Sequence, residues 1–205
     1  MSGDDMMSYT ITTVLIVEDE TQLTDQYAQA LGAEYSVVTA YSGAEALEVA
    51  DESVDAVLLD RRMPGLSGDE VLDRLRDRGR DYPVAMLTAV RPDWGIVEMG
   101  FDDYLLKPVD IQGLYDAIDR LEALGGIDRE TREYIRQNIK QASLEGQKDD
   151  SELASSAEFA ALKSDVLERS SEIGDVTAGL SQEETELIVS TISRNLGPPD
   201  SGRSD

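Results

Sequence analysis

The chain has 205 residues, 43 of them acidic and 18 basic, for a formal charge of −25. That balance argues against a protein whose main grip is on nucleic-acid phosphate, because such a grip needs a basic surface. Cysteine and histidine are both absent, which excludes disulfides, thiolate zinc sites, histidine bases, imidazole metal ligands and a phosphohistidine in this chain.

No apolar run approaches the ~18 residues of a membrane span, and Met1 to Thr10 carries acids where a signal peptide would carry lysines. The expectation is a soluble, cytoplasmic protein. Hydrophobic residues form 40% of the chain and fall in periodic clusters, so the charge does not signify disorder. Only four basic residues are lysines. Self-repulsion at this charge density weakens a compact state in dilute buffer, and molar salt relieves it. The composition therefore suits a salt-rich cytoplasm, with an ordinary acidic protein as the alternative.

Met1 to Ile11 reads as a disordered leader. Thr13 to Val17 is a β-branched run of a buried parallel strand. Residues 20 to 32 place Leu23, Tyr27, Ala30 and Leu31 on one helical face, with Gly32 as terminator. Tyr35 to Ala40 is a second strand. Ser42 with Glu45 makes a capping box for a short helix, and Val54 to Leu59 runs as a third strand into Asp60. Met63-Pro-Gly65 forces a loop, and 67 to 78 is helical through Val71, Leu72 and Leu75. Val84 to Leu87 is a fourth strand, followed by a short helix before Gly100. Strand Asp103 to Leu106 and helix Asp110 to Leu124 complete the set. Alternation of this kind predicts an α/β fold, a parallel sheet covered on both faces, with its binding crevice at the carboxyl ends of the strands.

The polar residues obey that rule. Glu18 and Asp19 follow the first strand, Asp60 the third, Thr88 the fourth and Lys107 the fifth. Each alone reads as a turn or cap residue. Together, three carboxylates with one lysine and one hydroxyl suit a hard, oxygen-preferring dication beside an anion, magnesium with phosphate being the natural pair.

Four motifs, V-L-I-V-E-D-E (14–20), L-L-D-R-R-M-P-G (58–65), M-L-T-A (86–89) and Y-L-L-K-P (104–108), resemble a CheY-like receiver domain of a two-component response regulator over residues 12 to 125. The resemblance implies a flavodoxin-like (βα)5 doubly wound sheet of strand order 2-1-3-4-5. It implies Asp60 as phosphoacceptor from a sensor histidine kinase, and Mg²⁺ held by Asp19, Asp60 and the Arg62 backbone carbonyl, with Glu18 near or acting through water. Thr88 and Lys107 would contact phosphoryl oxygens, and Thr88 with Tyr104 would form the conformational switch. It implies no enzyme beyond the receiver's own Mg-dependent phosphorylation and dephosphorylation.

Two departures stand out. Arg62, two residues after the acceptor, either shields the phosphoryl group from water or points to solvent with only its carbonyl engaged. Thr88 and Lys107 are 19 residues apart, about three short of the family's spacing and nearly a helical turn. With Pro92 and Gly95 inside, this predicts a stunted, irregular fourth helix on the face common receiver dimers use, which puts that usual dimer mode in question.

Gly125-Gly126 marks a boundary. Beyond it, 126 to 196 reads as helical. A helix over 127–145 carries Ile127, Tyr134, Ile135, Ile139 and Ala142, and Gly146 to Asp150 is a polar turn. A Ser155–Glu158 capping box opens a seam of Phe159, Leu162, Val166, Arg169, Ile173, Val176 and Leu180. A further helix starts at Ser181, with Glu184 as capping partner and Leu187, Ile188 and Ile192 along it. Residues 197 to 205 read as a disordered tail. Tyr134, S-L-E-G-Q-K (143–148) and S-A-E-F-A-A-L (156–162) resemble the HalX domain found behind receivers in halophilic archaea. The seam suits either intramolecular packing or a homodimer, which the receiver could also form. The output is read as a protein-interaction or regulatory module, with a DNA-contacting transcriptional regulator as the alternative. Nine basic against 17 acidic residues from Gly126 onward and no evident recognition helix favour the former.

Overall fold

A computed structural model describes residues 9–173. Five strands, β1 (Thr13–Val17), β2 (Ser36–Ala40), β3 (Ala56–Asp60), β4 (Val84–Thr88) and β5 (Asp103–Leu106), form one parallel sheet of order β2-β1-β3-β4-β5. Helices α1 (Thr21–Leu31), α2 (Gly43–Val49) and α3 (Gly68–Asp77) make the first three crossovers, a 3-10 segment (Trp94–Glu98) makes the one between β4 and β5, and α4 (Ile111–Gly125) follows β5. This is the α/β architecture expected, with the fourth crossover reduced to little more than one turn. Pro92 and Gly95 flank and interrupt that segment, as the sequence predicts.

Strand alternation divides the core in two. Val14, Ile16, Ala56, Leu58, Ala85, Leu87 and Leu105 face α1 and α4 through Tyr27, Leu31, Leu114 and Ile118. Leu15, Val17, Val57, Leu59, Val84, Met86 and Tyr104 face the other way. On that second side α2 and α3 cover β1 and β3, but the stunted segment is too short to cover β4 and β5. Further helices complete the layer: α5 (Arg129–Glu145), α6 (Asp150–Ser155) and α7 (Ala157–Ile173). Ile135, Ile139 and Leu144 of α5, with Phe159 and Leu162 of α7, join the same buried cluster as Met86, Ile96, Phe101 and Tyr104. Each large apolar side chain buried there contributes about 1.5–3 kcal/mol relative to exposure. The helical segment is thus part of the sheet's own hydrophobic core.

An ionic hub fixes the same junction. Asp102, fully buried at the amino end of β5, accepts from Arg132 Nε at 2.7 Å and Arg136 Nε at 2.8 Å, and lies 3.4 Å from Arg76 Nη2 of α3. Val84 N donates to the same carboxylate at 2.9 Å. Burial alone would raise the Asp102 pKa, but the Arg132 and Arg136 charges outweigh it and hold the carboxyl well below the usual range. Arg76 takes the poorest share of that carboxylate, and burial together with the two other guanidiniums brings it down to about 10. The i, i+4 spacing of Arg132 and Arg136 puts both on one face of α5, where one acid serves both.

Several local expectations are corrected. Tyr9 to Ile11, assigned by sequence to the leader, are ordered: Tyr9 donates to the Asp55 carbonyl at 2.5 Å, and Ile11 is buried. The Tyr9 ring lies where a Cβ on Gly125 would sit, 2.2 Å away, so only glycine fits there. Ser42 does accept from Glu45 N at 3.2 Å, but the Glu45 carboxylate returns to Tyr41 N and not to Ser42, so the box is half made. Asp150, read as turn, begins α6. Asp149 and Glu152 form its capping box, a signal as strong as the serine boxes. The cap of α7 is Ser156, whose Oγ accepts from Phe159 N at 3.1 Å, one residue beyond the predicted Ser155. Along the seam Phe159, Leu162 and Val166 are buried as predicted. Val176, Leu180, the Ile173 side chain, the helix expected from Ser181 and the tail lie outside the described residues. Among the described residues no helix is long and apolar enough to cross a membrane.

Candidate functional site

The carboxyl ends of β1, β3 and β5 deliver Glu18, Asp19, Asp60 and Lys107 to one cleft. Oxygen atoms of the three carboxylates lie within 4.8 Å of one another. Asp60 is the last residue of β3, paired with Leu87 of β4, and β1 ends one residue before Glu18. Glu18 and Asp60 are buried and Asp19 is exposed. Gly68 lets α3 approach the backbone at the end of β3 closely. A Cβ there would meet the Asp60 carbonyl oxygen at 2.2 Å, and Gly68 N donates to Arg61 O at 3.0 Å.

Lys107 reaches across from β5. Its Nζ lies 3.1 Å from Asp60 Oδ1 and donates to Glu18 Oε2. Burial pushes the Glu18 and Asp60 pKa values up, only partly offset by Lys107. For Lys107 burial acts downward, but its bond to Glu18 and the charge of Asp60 outweigh it and hold the ammonium above its ordinary value. Three carboxylates against one ammonium leave the cleft with an excess of negative charge. An all-oxygen donor set with that excess fits a hard dication such as Mg²⁺ and suits no soft metal.

Thr88 ends β4 and is fully buried, and its Oγ1 accepts from Val90 N at 3.0 Å. Its carbonyl accepts from Lys107 N at 2.8 Å. Tyr104 lies inward, 2% exposed, and donates to Val90 O at 2.8 Å. Thr88 and Tyr104 therefore hold the two sides of one peptide segment at Val90. The Arg62 side chain is exposed, the solvent-facing arrangement of the two considered, while its backbone N–H bonds to Asp60.

The buried arginine is its neighbour. Arg61, 6% exposed, bonds Asp69, Asp93 and Tyr104 at once. Sequence reasoning passed over it, although strand alternation carried the signal. The pleat that turns Asp60 to the side of Leu58 turns Arg61 to the side of Leu59 and Tyr104.

Known proteins share this fold. The family model of the response regulator receiver domain matches residues 14–119, and that of the HalX domain matches residues 124–189. A candidate transcriptional regulator of Haloferax volcanii is 46% identical over 133 residues, covering 64% of this chain and 23% of its own. The transcriptional regulatory protein TcrA of Mycobacterium tuberculosis is 39% identical over 121 residues, 57% of this chain and 48% of its own. The chain thus spans less than half the length of these two relatives. Among solved structures, a CheY-like receiver domain protein of Methanospirillum hungatei superposes with a TM-score of 0.53 at 26% identity, covering 57% of this chain and 97% of its own. CheY4 of Vibrio cholerae does so at 0.51 and 28%, covering 55% and 99%.

Proposed function

The chain belongs to the response regulator receiver family, with a HalX domain behind the receiver, and on that premise we propose that Asp60 accepts a phosphoryl group from a sensor histidine kinase in a cytoplasmic phosphorelay. The observation that carries this reading is the Lys107 ammonium 3.1 Å from Asp60 Oδ1 inside a three-carboxylate cluster.

An Asp60 carboxylate oxygen attacks phosphorus. The phosphorus–nitrogen bond of the partner's phosphohistidine breaks, and its electron pair stays on the imidazole. Because this chain has no histidine, the donor lies outside it. Asp19, Asp60 and the Arg62 carbonyl, with Glu18 close by, would hold Mg²⁺, which supplies neutralisation of charge on the transferring group. Lys107 balances a second share of that charge and keeps Asp60 ionised against the burial that favours its protonation. The Thr88 hydroxyl donates to a phosphoryl oxygen, and in doing so reorients relative to Val90 N. No turnover of an outside substrate belongs to this reading.

The output falls to the helical segment acting on another protein. Relatives named as transcriptional regulators favour the alternative, a DNA contact. However, Arg132, Arg136 and Lys140 of α5 are buried within the protein and so withheld from phosphate. Incubation with a small phosphodonor and Mg²⁺ in high KCl tests the acceptor. A hydroxylamine-labile phosphoryl group on the Asp60 peptide, absent from Asp60→Asn, is the expected result, and an unlabelled wild type would overturn it.

A further inference from the structure

Arg61 joins the strand that ends at Asp60 to the segment on which the helical domain rests. Its guanidinium serves three elements. Nε lies 3.1 and 3.2 Å from the two Asp69 oxygens at the start of α3, and Nη2 lies 3.1 Å from Asp93 Oδ1. Nη1 donates to Tyr104 OH of β5 at 3.3 Å. Asp93 is the residue before the 3-10 segment, yet its carboxylate caps no backbone N–H there. It is committed to Arg61 instead. Burial alone would lower the Arg61 pKa, but Asp69 and Tyr104 outweigh it and raise it.

The segment that Asp93 opens is the seat of the helical domain. The Trp94 ring lies 6.4 Å from that of Phe159 in α7, and Lys148 Nζ is 5.3 Å from the Trp94 centroid. Lys140 of α5 donates to Val97 O at 2.9 Å, and Arg91 to Gln147 Oε1 at 2.9 Å. A continuous path of contacts therefore runs from Asp60 through Arg61, Asp93 and Trp94 to Phe159.

We infer that Arg61 is the positioning residue that transmits a change at the acceptor to the helical domain, by holding Asp93 and Tyr104 in one fixed relation to the end of β3. The physical ground is the planar fork. A buried guanidinium cannot leave a carboxylate without stranding charge, and its donors are rigidly disposed, so displacement of the strand end displaces its partners. A lysine offers a point charge and no fork, so it cannot hold both carboxylates and the phenol in one plane. Tyr104, bonded on one side to Val90 O and on the other to Arg61, acts as a fixed strut that both elements press against.

This inference rests on the reading of Asp60 as acceptor, and the test separates the two. Trp94 is the sole tryptophan, so its emission reports the junction alone. The full chain is titrated with beryllofluoride, a phosphoryl mimic, in Mg²⁺ and high KCl, with binding followed independently by ¹⁹F NMR. In wild type the emission shifts with saturation. Arg61→Gln is expected still to saturate with beryllofluoride, its half-saturation moved by no more than about fivefold, the low end of ordinary coupling between sites, while most of the emission amplitude is lost. Arg61→Lys should recover part of that amplitude. Asp93→Asn, altering a half-exposed side chain that leaves the core intact, should lose amplitude in the same way. Unchanged amplitude in Arg61→Gln or in Asp93→Asn overturns the inference, as does loss of beryllofluoride binding in step with amplitude. A wild type that binds no beryllofluoride overturns the acceptor reading itself.

Discussion

The two ends of the sheet handle buried charge in opposite ways. At the carboxyl end, Glu18 and Asp60 share one ammonium with Asp19 beside them, and the cluster is left with excess negative charge. At the amino end, Asp102 is surrounded by three guanidiniums and sealed from solvent. The first arrangement costs stability and creates affinity for cations. The second spends its charge on joining α3, β5 and α5. A frustrated cluster open to solvent can take up a ligand, whereas a satisfied cluster that is closed can only hold the chain together.

Breaking the closed end should have the larger effect. Asp102→Asn leaves Arg132 and Arg136 without their shared anion, and removal of one partner from a buried ion cluster costs about 3–5 kcal/mol. The urea midpoint should fall accordingly. A loss below about 1 kcal/mol would mean that Asp81, 3.4 Å from Arg136 Nη2, takes over the role, in line with the small worth of exposed pairs. The pH dependence has a definite sign. The Asp102 pKa is depressed in the fold, so its contribution is complete above the ordinary carboxylate value and is lost as pH falls through the folded one.

At the open end the sign reverses. Glu18 and Asp60 have raised pKa values, so the folded form gains a proton more readily than the unfolded chain. The stability this gives is present below the ordinary value and lost as pH rises through the folded one. At neutral pH the ionised pair is therefore a cost. Asp60→Asn should raise stability there, because it removes a carboxylate whose ionised form burial disfavours, and should weaken the stabilisation that Mg²⁺ gives wild type. Urea unfolding with and without Mg²⁺ measures both. A destabilised Asp60→Asn would show that Lys107 more than compensates its acid partners.

The smallest effect sharpens the contrast from the surface of the junction. Lys148→Ala removes an ammonium from the Trp94 face at a partly exposed site, worth about 0.5–1 kcal/mol. Its signature should be a change in Trp94 emission with little change in the urea midpoint. An unchanged spectrum would mean that the lysine does not rest on the ring.

Much of this was legible in the chain. Apolar runs marked β1, β3 and β4 within two residues of their bounds, because strands buried on both faces must be continuously apolar, and the half-exposed edge strand β2 was marked by its β-branched residues. The topology rule then gathered Glu18, Asp19, Asp60 and Lys107 at one edge. Proline, glycine and a short spacing marked the 3-10 segment. What escaped depended on partners far along the chain. Asp102 carries no local mark of its position between α3 and α5, since Arg76 is 26 residues before it and Arg132 is 30 after it. Arg61 looked like half of an ordinary Arg-Arg pair. The α6 helix was obscured by a run of polar residues that supplies a capping box but no apolar stripe.

The sequence by itself determined the parallel sheet and the identity of the acidic cleft, since these follow from side-chain periodicity and from the carboxyl-end rule for such sheets, while the strand order was implied by the resemblance to receiver domains. Only the tertiary structure decided that the helical segment completes the receiver's core and that Arg61 faces Asp93 and Tyr104. Those outcomes depend on which surface the short fourth crossover leaves bare. Burying that surface against α5 and α7 lowers the free energy in a way that no local window of residues can express.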